Sequence, residues 1–288
     1  VVKRDAFSDY HPFVGLVYFV VVIGFAMFIL HPVMLVISFV CAGVYAFLLR
    51  GVRVLMRGLV LLLPMMLVAA AMNPLFNHRG VTILTYLPNG NPVTLEAVLY
   101  GLAVAGMLAT VITWFVAVNA VMTADKIVFL FGRFWPALSL LLSMSLRFVP
   151  RMIRQGRVIV VAQKGLGRKP NALKVISILM TWALENSIET ANSMTARGYG
   201  LRRRTAFHLY KFHRRDVFAL GWMITMALVV GVGVALGVNR YRFFPSVQFH
   251  ALSGASVIVF VSYFALGAVP IILRAKEVLV WKRINSAM

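Results

Sequence analysis

The sequence predicts an all-α, polytopic membrane protein with about six transmembrane helices, long cytoplasmic helices and both termini in the cytoplasm. Three observations carry this. The 288 residues are 61% hydrophobic with a mean hydropathy of +0.88, against about 45–50% apolar for an ordinary soluble domain. Charge-free apolar runs recur at lengths near the roughly 20 residues a helix needs to cross a bilayer. The 29 Lys and Arg residues segregate sharply once those runs are laid across a membrane.

The runs cover residues 12–30, 32–49, 58–73, 97–124, 217–239 and 251–273. His31-Pro32 predicts a tight turn between the first two. The third is short, and Arg57 can snorkel at its edge. The fourth is long enough to tilt or to continue past the bilayer. Residues 74–96 read as a polar loop, punctuated by Asn73-Pro74, Asn77-His78-Arg79-Gly80 and Pro88-Asn89-Gly90-Asn91-Pro92. The division expected is an N-terminal transmembrane domain of four spans over residues 1–121, a cytoplasmic domain with two long helices over 122–215, and C-terminal spans over 216–288. The opening Val1-Val2-Lys3-Arg4-Asp5 has no signal-peptide cleavage pattern.

With both ends inside, 26 basic residues fall on the inner side, 17 of them between 122 and 215, and only Arg79, Arg240 and Arg242 lie outside. The positive-inside rule selects this orientation. It also accounts for the net charge of +21 without a nucleic-acid partner, and none is expected. All eight acidic residues and all six His lie outside the apolar runs or at their edges. Ion-coupled transporters and membrane hydrolases usually need such groups within the membrane. The lone Cys41 allows neither an intrachain disulfide nor a cysteine metal site. No Gly-x-x-x-x-Gly-Lys-Ser/Thr loop is present, so any energy for active movement must come from a partner. The chain itself is expected to bind no cofactor and to catalyse nothing.

The basic insert is therefore where function is sought. Residues 134–167 read as one long helix, with Pro136 suited to its first turn and a kink at Pro150. Arg147, Arg151 and Arg154 recur on one face, either as a solvated stripe or as a contact for lipid headgroups or an acidic partner. Pro170-Asn171 opens a second helix, residues 171–197. Leu173, Ile176, Met180, Ala183, Leu184, Ile188, Ala191 and Met194 form its apolar stripe. Residues 175–196 hold no basic residue; so bare a helix is expected to pack on other protein. The two helices end alike, in Lys164-Gly165-Leu166-Gly167-Arg168 and Arg197-Gly198-Tyr199-Gly200. Glycine after a helix and a cation in its last turn are common by themselves. Two matched endings suggest two equivalent contacts with a dimeric partner.

These residues resemble the transmembrane (T) component of energy-coupling factor (ECF) transporters, a family that serves cobalt and vitamin uptake. The resemblance runs over nearly the whole chain. It rests on Asn73-Pro74-Leu75-Phe76, Thr123-Ala124-Asp125-Lys126, residues 142–151 (LSMSLRFVPR), Ala162-Gln163 and Met194-Thr195-Ala196-Arg197-Gly198. It implies that the two long helices are coupling helices whose ends dock on two cytoplasmic ABC ATPases. Those partners bind ATP and magnesium, and a separate membrane subunit binds the micronutrient. It implies a multi-pass protein of a prokaryotic plasma membrane. Ala196, Arg197 and Gly198 match the second docking element in full. In the first, the internal repeat pairs Lys164-Gly165 with Arg197-Gly198, whereas family spacing points to Gly165-Leu166-Gly167, with leucine where arginine is expected. Lys164 or Arg168 would then supply the charge. Leu142, Leu146, Ile176, Met180, Ala183, Ser187 and Ala191 are expected to bed the substrate-binding subunit. Two other readings stay open on the residues alone. One is the permease of an ordinary ABC importer; the other is a non-transporting scaffold or channel with its basic insert on anionic lipid.

Overall fold

The computed structural model describes residues 6–86, 88, 90–167, 169–200, 210–249 and 253–286. A 3₁₀ turn (Ala6–Asp9) leads into α1 (Pro12–Phe28), α2 (Pro32–Arg50) and α3 (Val52–Phe76). A hairpin, β1 (Ile83–Tyr86) and β2 (Pro92–Thr94), precedes α4 (Leu95–Val121). Next come α5 (Ala124–Phe134), α6 (Pro136–Gly165), α7 (Ala172–Ala196) and α8 (Arg214–Ala235). A second hairpin, β3 (Tyr241–Arg242) and β4 (Gln248–Phe249), leads to α9 (Gly254–Ser286). Two compact units result: Val1–Thr123 with Tyr210–Met288, and Ala124–Leu209.

In the first unit α2, α3, α4, α8 and the stretch Gly254–Val280 of α9 are long and apolar enough to cross a membrane. The apolar α1 has 17 residues. This is the all-helical, polytopic architecture expected, with five spans of full length among the described residues and a sixth, shorter helix. The third run was read too short. Its helix spans 25 residues and passes through both Pro64 and Pro74, so Asn73-Pro74 is no turn.

The reason lies on α4. Pro74 has no N–H for the carbonyl four residues back, Ala70. Gly101 of α4 lies against that carbonyl, so closely that a Cβ there would stand 2.4 Å from its oxygen. Beside it the Asn73 side-chain amide donates to the Ala97 carbonyl at 3.1 Å. Neighbouring protein thus surrounds what proline leaves open, which is how membrane helices tolerate it. The polar loop read over 74–96 is also corrected: its second half is the β1–β2 hairpin. Glu96, 3% exposed, accepts the Thr82 N–H at 3.2 Å, and the Thr94 hydroxyl donates to the Arg79 carbonyl at 3.1 Å.

The core of this unit is aromatic and small. Tyr18, Tyr45 and Trp114 are fully buried. Trp114 Nε1–H donates to Ser38 Oγ at 3.0 Å, and the Tyr18 hydroxyl donates to the Gly267 carbonyl at 3.1 Å. Against lipid, burying another leucine gains little, so close approach and polar bonds do more of the work. Gly233 and Gly267 serve this: a Cβ at either would press on Val259 (2.3 Å) or Cys41 (3.1 Å).

Candidate functional site

Among its described residues the second unit holds three helices, α5, α6 and α7. The long helix read over 134–167 is α6, from Pro136 to Gly165, and a shorter helix, α5, precedes it and ends at Phe134. Trp135 between them sits at φ −134°, ψ 85°, because a residue before proline is pushed out of the helical region. The Ser139 hydroxyl donates to the Val128 carbonyl at 2.9 Å. Gly132 leaves room for it, since a Cβ there would meet Ser139 Oγ at 2.8 Å. Pro136 occupies the first turn of α6, as read, and Pro150 lies within the helix. Asn171 caps α7, its side chain accepting the Leu173 N–H at 3.1 Å.

α6 and α7 pack in opposite senses. Phe148 stacks on Trp182 with ring planes 6° apart and centroids at 6.0 Å. The Arg151 guanidinium lies 5.7 Å from the Trp182 ring centroid, and Gly156 faces Leu179. Ile159, Gln163 and Asn186 are buried, and Gln163 Oε1 has no hydrogen-bond partner among the described residues. This seam escaped the sequence reading. Val175, Leu179, Trp182 and Asn186 do repeat at helical spacing, but the stripe beside them is the more hydrophobic of the two.

That stripe lies on the open side. Leu173, Ile176, Met180, Leu184 and Ile188 are each more than half exposed, and Ser187 and Ala191 are exposed. Ala183 is half-buried, at the border of the seam. On α6, Leu142 and Leu146 are exposed, as are Arg147, Arg151 and Arg154.

The two helix ends share one geometry. α7 closes at Arg197 (φ −84°, ψ 9°), followed by Gly198 at φ +78°. The Gly198 N–H bonds the Thr195 carbonyl at 2.9 Å, and the Tyr199 N–H bonds Met194 at 3.0 Å. Together these make a Schellman ending, which wants glycine at the left-handed residue. α6 closes at Leu166 (φ −83°, ψ 11°), followed by Gly167 at φ +68°, whose N–H bonds the Lys164 carbonyl at 3.0 Å. Leu166 is therefore the structural counterpart of Arg197, and Gly167 that of Gly198. Gly165 is still helical. The pairing of Lys164-Gly165 with Arg197-Gly198 fails by two residues, because two Gly-x-Gly ends can be aligned on either glycine and only the backbone picks one. Ala196, Arg197, Lys164, Gly165, Leu166 and Gly167 are all exposed. Arg168 lies outside the described residues. From the Gly156–Leu179 contact the two glycines lie about 15 Å and 30 Å along their helices at 1.5 Å per residue, on separate arms.

No family model matches the chain. A stretch of 100 residues is 34% identical to the energy-coupling factor transporter transmembrane protein EcfT of Lacticaseibacillus paracasei. The chain is similar to EcfT. The match takes in 31% of this chain and spans 38% of the relative's length. It bears out the resemblance to ECF transmembrane components read from the residues. The apolar helices of spanning length agree with a multi-span membrane protein. Among the described residues no group of three or more His, Cys, Asp or Glu could hold a metal ion.

Proposed function

We propose that this chain is the transducer subunit of an ECF-type importer in the plasma membrane. It couples ATP hydrolysis by two cytoplasmic ABC ATPases to uptake of a vitamin or transition-metal ion through a separate membrane subunit that binds it. The observation that carries this reading is the pair of exposed helix ends closed in the same way. Equivalent ends suit equivalent partners, and a glycine at positive φ turns the chain the same way at each end. Arg197 offers a planar guanidinium for a carboxylate or carbonyl groove. Leu166 offers an apolar group at the same position, so the first contact is built differently from the second. The ATPases supply ATP and magnesium.

The apolar stripe of α7, with Leu142 and Leu146, is the bed for the substrate-binding subunit. It is wide, nearly free of charge and edged by small residues that let another helix approach. When the ATPases close, the two arms move relative to each other and shift that bed.

Affinity purification from a native membrane in mild detergent tests the reading. Two ATPases and a small, very hydrophobic subunit should accompany the chain. Recovery with a soluble binding protein instead would make it an ordinary importer permease, and recovery alone would make it a scaffold.

A further inference from the structure

A knot of polar bonds ties the 3₁₀ turn at residues 6–9 to three helices of the first unit. Four residues of 3₁₀ helix do not hold themselves together, and here the fixing groups lie more than 200 positions away. The Ala6 N–H donates to Glu277 Oε2 on α9 at 3.1 Å, and Glu277 also accepts from Arg274. The Asp9 carbonyl accepts from Arg215 Nη2 on α8 at 2.8 Å. The same guanidinium covers the Tyr10 ring at 5.1 Å. Phe7, 2% exposed, packs against Tyr18 and Phe19 of α1.

Asp216 sits at the centre with its side chain 1% exposed. One oxygen accepts the His213 N–H at 2.8 Å, closing the first turn of α8. The other accepts the His11 N–H at 3.4 Å, and His11 is the capping residue of α1. Arg215 Nε stands 4.0 Å away, which offsets the cost of burying the charge. The rings of His11 and Phe212 meet edge to face at 5.1 Å. One carboxylate thus caps two helices, and the strap binds both to the third.

Residues 210–213 lead into α8 and follow the second unit in chain order. A helix end is where a chain under tension would first unwind. We infer that residues 6–13 are a strap anchoring this entry point, so that movement of the second unit is delivered to α1, α8 and α9 instead of being absorbed by unwinding at α8. The mechanical half of this inference rests on the transducer reading.

The test uses the full complex, reconstituted in proteoliposomes, and reads uptake per ATP hydrolysed. Arg215→Ala removes both the bond to Asp9 and the cover over Tyr10; Glu277→Gln weakens the other end of the strap. Both variants should keep the ATPases bound and hydrolysing while uptake per ATP falls several-fold. A merely structural role would lower the amount of complex but leave that ratio unchanged, and an unchanged ratio overturns the inference. Hydrogen exchange on the purified chain decides the anchor independently. In Arg215→Ala, amides in the first turns of α1 and α8 should lose protection together. Loss confined to residues 6–9 would overturn the knot. A wild-type chain that captures no ATPase would sink the transducer reading and leave the exchange result to judge the strap.

Discussion

At the residue scale, the two helix ends differ by one side chain at one backbone position. Arg197 and Leu166 both follow the last helical residue and both precede a glycine at positive φ. Lys164 sits two residues earlier, where its carbonyl is used in the cap. Lys164→Glu should therefore weaken ATPase capture less than Leu166→Glu, as scored by ATPase recovered per chain in pull-downs. The reverse order would return the contact to the lysine. His31, between α1 and α2, is a second residue with a measurable signature. Its ring lies between Tyr241 and Phe260, and Nδ1 has no partner among the described residues. Burial lowers its pKa from the ordinary value of 6.5. The folded state thus resists protonation more than the unfolded state does. Stability from this site is full above about pH 6.5 and is lost as the pH falls below the usual histidine range. Melting curves in detergent between pH 7.5 and 5 should show the loss, and His31→Phe should flatten it.

At the element scale, spans were legible in the sequence because membrane-length apolar runs have few alternative meanings. The Lys and Arg distribution separated the insert for the same reason. What was not legible came from proline and glycine, whose local signals tertiary contact overrides. Pro74 reads as a break, yet α3 continues because Gly101 and Asn73 bring α4 against the exposed turn. Gly101→Val should push the helices apart and cost about 1–3 kcal/mol as overpacking does, seen as a lower melting temperature. An unchanged melting temperature would show that the contact gives way freely. Pro136 reads as a first-turn residue and opens α6, with Trp135 before it out of the helical region; the shorter α5 ahead of it has no such marker in the sequence. In the candidate site the exposed stripe was readable from its spacing. The α6–α7 seam was not, because Asn186 and Gln163 have the polarity of surface residues and yet are buried. Ser187 lies on the open side, its hydroxyl turned back to the Ala183 carbonyl at 2.7 Å. Ser187→Trp should release the substrate-binding subunit and keep both ATPases, measured by scoring each partner separately in co-purification. Ala183→Trp is the poorer probe, since that position borders the seam and would disturb α7 itself. Loss of the ATPases with retention of the other subunit would exchange the two surfaces.

At the scale of the whole molecule, the chain divides its labour. The first unit holds the apolar helices, closely packed through glycines, buried aromatics and a few polar bonds. The second holds two helices with open apolar faces and closed, exposed ends. Carboxylates outside the apolar runs serve as caps and ties, as Glu96, Asp216 and Glu277 do. On the transducer reading proposed above, force enters at the ends of α6 and α7. The most direct measurement is ATP-driven uptake by the assembled complex carrying Arg197→Glu. The residue is exposed at a helix terminus, so insertion and the spans should be unaffected. Removing one partner of a desolvated charged contact costs about 2–5 kcal/mol, enough to lower ATPase occupancy by more than tenfold. Uptake should be abolished while the amount of chain in the membrane stays at the wild-type level. Normal uptake with Glu at position 197 would contradict the claim that this chain is driven through its helix ends.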